Sequence, residues 1–278
     1  MFSPFNLNQK NPFEELHPNE ICYFDTETTG LHPKNSQIVE IAAIKGDQKF
    51  SVKIELTDET RQQIKDQTEN FEPKGKRDKT VEDLLKMSGY YENKFDLIPE
   101  HEALKQFEEF CKDSKAILAH NASFDMRMIN ERCRKYNLPP LEGIPVYDSL
   151  AFSRRFFVPA LITIENTSYS KKSRARAKEI LDKLTKQYYK SGQRLNISHN
   201  LNALTTALRG QLQNWHQALA DVTALKDLIE NFFKLLFDKH YKEDISRDIR
   251  SKPMFKKYYM RNIRLEDRLR QGDKKKAR

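Results

Sequence analysis

Acidic residues set inside apolar, structure-forming runs are what most constrain this chain. Ile21 to Phe24 is a short apolar run ending in Asp25-Thr26-Glu27, so two carboxylates fall two residues apart on a predicted strand. Side chains alternate along a strand, which points both to one face. Carboxylates crowded together repel each other, and a divalent cation between them is the usual remedy. Asp-x-Glu alone is also a common solvated strand end, so the surroundings decide. Thr28-Thr29-Gly30-Leu31 makes a turn, and Gln37 to Ile44 (QIVEIAAI) is an apolar, β-branched second strand, so the acidic strand end opens into a hairpin. Glu40, inside that second strand, reads as a charge on the far face of the sheet or one satisfied locally, and is left out of the site.

A second acid follows a buried-strand pattern. Ala116 to Ala119 (AILA) leads through His120-Asn121 into a helix expected over 123–136, with Ser123 or Asn121 as its cap. Asp125 falls in the first turn and shares a face with Ile129 and Cys133, so it points toward the core. An acid in a first turn is also favoured by the helix dipole alone.

The third segment is a helix expected from Gln217 to Phe237, with Val222, Leu225, Ile229, Phe232 and Leu236 as its core stripe. Asp221 lies beside that stripe, where a carboxylate must be paired, neutralised or bound to a metal. His216 would stand about 140° around a regular helix from Asp221, so the two share a site only if the histidine precedes the helix, on a loop.

Together these residues resemble the DEDDh family of 3'→5' exonucleases, whose members include proofreading subunits of replicative DNA polymerases and ribonucleases. Three motifs carry the resemblance in order: Asp25-x-Glu27, then Asn121-x-x-Phe124-Asp125, then His216-x4-Asp221. It spans roughly Glu20 to Phe237 with gaps. VYDSLAFSRRFF (146–157) and SHNLNALTTAL (198–208) add weaker support. The resemblance implies an α/β chain with an RNase H-like fold, a central five-stranded mixed sheet flanked by helices. The coarse pattern agrees, with strands expected over 20–25, 37–45, 48–54, 115–119 and 144–148, and helices over 99–112, 123–136, 148–157, 200–208 and 217–237.

Carboxylate oxygens are hard donors that suit Mg²⁺ or Mn²⁺. By the resemblance, Asp25 bridges two ions about 4 Å apart, Glu27 and Asp221 complete one site, and Asp125 supports the other. His216 is then the general base. Thr28, Leu31, Asn121 and Phe124 occupy places where the family handles the terminal nucleotide, with Leu31 beside the final base; Leu31 and Phe124 are equally ordinary core residues.

At 278 residues the chain exceeds what such a core needs. The expected organisation is an N-terminal lead (1–19), an exonuclease domain (20–238) with insertions near 56–80 and 159–196, and a C-terminal tail (239–278). The second insertion carries nine Lys or Arg against three acids, with Ala177, Ile180, Leu181 and Leu184 at helical spacing. It reads as a basic amphipathic helix, either a solvated surface helix or a nucleic-acid clamp. The tail has 15 Lys or Arg and 6 acids, a balance equal to the net charge of the whole chain, +9. Tyr241, Phe255, Tyr258 and Tyr259 lie among those charges, a mixture suited to phosphate contact with base stacking. A helix packed on the core or an inert tail are the other readings.

Cys22, Cys111 and Cys133 lack CxxC spacing and sit in apolar runs, as reduced core residues of a cytoplasmic protein do. MFSPFNLNQK has no signal-peptide pattern, and no run approaches the ~20 apolar residues of a membrane span. The expected partners are a nucleic-acid 3' end, single-stranded DNA before RNA, and a DNA polymerase; no membrane is expected. The leading function is a metal-dependent 3'→5' exodeoxyribonuclease releasing nucleoside 5'-monophosphates, associated with proofreading or replication. An exoribonuclease with the same chemistry, distinguished only by contacts to the 2'-OH, and an inactive nucleic-acid-binding or polymerase-tethering module are the alternatives.

Overall fold

The computed structural model describes residues 20–73, 78–92, 97–166, 170–188, 194–209 and 217–236. The N-terminal lead, His216 and the basic tail all lie outside the described residues.

The FDTETTG and QIVEIAAI segments form β1 (Ile21–Thr28) and β2 (Ile38–Lys45), an antiparallel pair that places Glu27 opposite Glu40 and slips register between Glu27 and Thr28. β3 (Gln48–Ile54) pairs antiparallel with β2 across a tight Gly46-Asp47 turn. β5 (Ala116–Ala119) and β6 (Val146–Asp148) then add parallel to β1. This is the expected mixed sheet, but with six strands instead of five, ordered β4-β3-β2-β1-β5-β6. The additional β4 (Leu97–Ile98) is two residues long and exists through its parallel pairing with β3.

Alternation along β1 divides the molecule. Ile21 and Tyr23 face one core, with Ala42 and Ile44 of β2, and Cys22 and Phe24 face the other. The first core is closed by α9 (Ala218–Leu236), whose Val222, Leu225, Ile229 and Phe232 form the anticipated stripe. The second is closed by α3 (Glu100–Cys111) and α4 (Ala122–Lys135). Phe24 of β1 meets Phe107 of α3 with ring centroids 5.3 Å apart, a pair contributing about 0.5–1.5 kcal/mol beyond its burial. All three cysteines are buried and free, Cys22 and Cys111 with sulfurs 3.6 Å apart.

The insertions are more structured than their polarity suggests. The first holds α1 (Asp58–Glu69), capped by the Thr57 hydroxyl, and is followed by α2 (Val81–Met87) with a Thr80/Asp83 capping box. Beyond β6 the chain runs through α5 (Ser149–Phe152), a wide π-type turn (Ser153–Phe157) and α6 (Val158–Asn166). The basic segment is α7 (Lys171–Leu184), which buries Ala177, Ile180, Leu181 and Leu184 as expected. A hairpin of β7 (Thr185–Tyr188) and β8 (Arg194–Ile197) follows, then α8 (Leu201–Arg209). Arg194 of the hairpin binds Glu165 of α6 and Asp182 of α7, so the insertion is tied to itself as well as to the core. Among the described residues, no helix is long and apolar enough to cross a membrane.

Candidate active site

Asp25 and Glu27 share the face of β1 that carries Tyr23, because the strand period is two. Asp221 lies in the first turn of α9, the helix packed over that face. One oxygen from each of Asp25, Glu27 and Asp221 lies within 4.8 Å of the other two. The sequence spacing anticipates this trio, drawn from positions nearly 200 residues apart.

Asp125 arrives from the other side of the sheet. It is 2% exposed at the start of α4, and its Oδ1 accepts the Thr26 N–H at 3.2 Å and the Thr26 hydroxyl at 2.7 Å. Thr26 points away from Asp25 and Glu27, so Asp125 grips the reverse side of the strand that presents them. It still acts strongly on Asp25: after burial, Asp125 is the largest influence raising the Asp25 pKa, followed by Glu27 and Asp221. Burial, with Asp221 next, pushes Glu27 up to about 7. Burial also pushes Asp125 up to about 7, against the lowering effect of its Thr26 hydrogen bonds.

The donor set consists of carboxylate oxygens, crowded, half-buried and mutually repelling. That is the chemistry of a hard divalent cation site, and Mg²⁺ or Mn²⁺ fits it better than a softer metal.

The remaining expected residues surround this cluster at different depths. Thr28 ends β1 and donates its hydroxyl to the Gly30 carbonyl at 2.9 Å. A Cβ on Gly30 would stand 2.7 Å from the Ser36 hydroxyl, so a side chain there would have to displace Ser36. Leu31, on that loop, is 78% exposed and is not a core residue. Phe124 packs partly buried against the second core. Asn121 precedes α4 in the left-handed region (φ 69°), a conformation asparagine tolerates better than most residues. Contrary to expectation, its side chain makes no capping hydrogen bond to the helix. Its backbone N–H instead reaches Asp148 Oδ1 at 3.1 Å.

Two further carboxylates act on the cluster, Asp148 through Asp125 and Glu40 through Asp25 and Glu27. Asp148, at the end of β6, is fully buried and its Oδ1 also accepts the N–H groups of Leu150 and Ala151, an Asp-Ser-Leu cap that could have been read as a helix start. Glu40 stands on the same face as Glu27, not the far face, and its pKa is raised first by burial, with Asp221 adding to it. Placing Glu40 on this face requires the hairpin register, and its neighbours Lys53 and Ser51 satisfy it locally, one of the two readings its position allows.

Residues 22–158 match the family model described as Exonuclease, RNase_T. A stretch covering 51% of the chain is 32% identical over 143 residues to DNA polymerase III PolC-type of Streptococcus pyogenes serotype M2 (strain MGAS10270). The corresponding protein of serotype M18 (strain MGAS8232) is 31% identical over 151 residues. The match spans 9% of the length of each of these relatives. Among solved structures, E. coli exonuclease I in complex with a dT13 oligonucleotide aligns with TM-score 0.51 at 18% identity, over 77% of this chain and 40% of that one. The zinc-bound form of the E. coli ExoI–ssDNA complex aligns with TM-score 0.51 at 17% identity, over the same shares. At that identity the likeness concerns the fold.

Proposed function

We propose, for a chain whose residues 22–158 match the exonuclease family model, that it is a metal-dependent 3'→5' exonuclease of the DEDDh type acting on single-stranded or frayed DNA ends. The observation carrying this reading is the convergence of Asp25, Glu27 and Asp221 oxygens within 4.8 Å, with Asp125 coupled to Asp25 from behind the strand. Asp25, Glu27 and Asp221 would hold Mg²⁺ or Mn²⁺, with Asp125 as the fourth carboxylate of the set that the motifs imply. Bound there, the cations supply a water acidic enough to lose a proton near neutral pH and neutralise charge on the scissile phosphate.

The chain's own residues do the rest. His216, five residues before Asp221 in sequence, accepts the proton of the attacking water, because an imidazole titrates close to working pH. Oxygen adds to phosphorus, the P–O3' bond breaks, and the products are a nucleoside 5'-monophosphate and a strand with a new 3'-hydroxyl. Thr28, Leu31, Asn121 and Phe124 position the terminal nucleotide, Leu31 from an exposed loop that leaves its side chain available to a base. The exposed cations of α7 and the basic tail extend the contact along the strand by phosphate attraction. The PolC-type relatives favour DNA and a polymerase partner over the exoribonuclease reading.

The test is a time course on 5'-labelled single-stranded DNA and RNA of one sequence, with Mg²⁺, Mn²⁺ or EDTA, beside Asp25→Ala. A metal-dependent ladder shortening from the 3' end, abolished in Asp25→Ala, is expected, with DNA consumed faster. Undiminished cleavage by Asp25→Ala removes the proposed metal site, and faster loss of RNA transfers the substrate to the ribonuclease branch.

A further inference from the structure

Glu40 interrupts an otherwise apolar strand, IVEIAAIK, at a residue only 7% exposed. A carboxylate buried there must be compensated. Its compensation comes from three directions: Lys53, its cross-strand partner on β3; the Ser51 side chain; and the backbone N–H of Ala218. Ala218 is the first residue of α9, and the first N–H groups of a helix have no partner within it. A carboxylate supplied from another strand fills that vacancy and complements the positive end of the helix dipole.

We propose that Glu40 is a positioning residue, a clasp that seats the first turn of α9 on β2 and thereby sets where Asp221 stands relative to Asp25 and Glu27. The proposal rests on the metal-site reading above. Asp221 is three residues beyond Ala218 in the same turn, with its N–H bonded to the Gln217 carbonyl at 3.1 Å, so the two move together. Glu40 is also opposite Glu27 in the β1–β2 register, so one rung of the sheet carries a presumed ligand on one strand and the anchor of another ligand's helix on the next. A second tie, Lys226 Nζ to the Gly46 carbonyl at 2.8 Å, holds α9 to the β2–β3 turn about two helical turns farther along. Glu40 is the anchor at the site end.

The variants that separate this role from simple packing keep or move the acceptor atom. Glu40→Gln retains an acceptor at the same reach and removes the charge, whereas Glu40→Asp retains the charge and withdraws the acceptor by one methylene. The readout is Mn²⁺ binding to the full chain by calorimetry without nucleic acid, alongside KM for an oligonucleotide. Glu40→Asp is expected to weaken Mn²⁺ binding about tenfold and Glu40→Gln to stay within about threefold, the range of supporting residues around metal ligands, with KM unchanged in both. Lys226→Met, which loosens the helix away from the site, should leave Mn²⁺ binding as it is. Wild-type binding by Glu40→Asp, or an equal loss in Glu40→Gln, overturns the clasp. Asp221→Ala serves as the separate control: if it binds Mn²⁺ as tightly as the wild type, the metal-site reading itself fails.

Discussion

Glu100 and Arg132 are both buried, at under 5% exposed. Glu100 receives Arg132 Nε at 2.7 Å and Arg132 Nη2, the Tyr136 hydroxyl at 3.0 Å and the Ile38 N–H at 3.2 Å, while Arg132 Nη1 reaches the Ser36 carbonyl at 3.3 Å. The acids at Asp25, Glu27 and Asp221 are also gathered together, but they and Asp125 are like charges: Asp125, Glu27 and Asp221 all raise the Asp25 pKa, and Asp221 and Asp125 raise that of Glu27. One cluster is neutral and complete within the chain and fastens α3, α4 and the start of β2. The other gathers like charges, a repulsion that protons or a cation would relieve. Charge gathered with its counter-ion fastens elements together, whereas like charges gathered together raise one another's pKa.

The largest effect should come from breaking the complete cluster. Arg132→Met leaves Glu100 buried without its counter-ion and is expected to lower unfolding free energy by about 3–5 kcal/mol in urea titration. Pairing it with Glu100→Leu should recover much of that loss, and a single-variant loss below about 1 kcal/mol would mean the pair is not what fastens these helices.

The incomplete cluster should respond to pH instead. Glu27 and Asp125 titrate near 7 in the folded state, well above ordinary carboxylates, so the folded chain holds protons that the unfolded chain has released. Their raised values make metal-free stability fall as pH rises toward and through 7. His120, driven down to about 4 by burial, works in the opposite sense, but only below about pH 6.5. Between pH 6.5 and 8.5 the metal-free Tm should thus fall by about 2–5 °C, with Mg²⁺ at the upper pH restoring it and Asp25→Asn flattening the slope. A metal-free Tm that rises across this interval would contradict the charge arrangement.

Exposed pairs give the smallest effect and the baseline. Glu179 of α7 meets Arg176 at 2.9 Å and Lys183 at 2.7 Å, all at the surface. Glu179→Gln should change unfolding free energy by no more than about 0.5 kcal/mol, and a larger loss would show that α7 depends on charge rather than on its buried Ile180 and Leu181.

What could be read from residues alone follows the same division. Asp25, Glu27, Asp125 and Asp221 are legible because each interrupts or borders an apolar period, and a carboxylate in that position demands an explanation. Glu40 interrupts a period too, but its role depends on the Glu27–Glu40 register, which a slip at Thr28 and a nine-residue loop determine. The Glu100–Arg132 pair joins two helices with no local signal at either residue. β4 is legible only through its partner. Pro159 occupies the second position of α6, where its missing N–H costs no helical hydrogen bond, directly after the wide turn at 153–157. The α1 helix lies in a segment read simply as polar, although Thr57 with Asp58 and Glu59 is a start signal.

Asp125 holding Thr26 from behind has a mechanical meaning. Asp221 belongs to the layer of helices on one side of the sheet and Asp125 to the layer on the other, so the acidic cluster is assembled across a seam between two separately packed halves. Its geometry is a gauge of their alignment: a slip of either layer by a fraction of an ångström would spread the carboxylates while leaving every helix and strand intact. Heat or denaturant would then silence such a site before unfolding it.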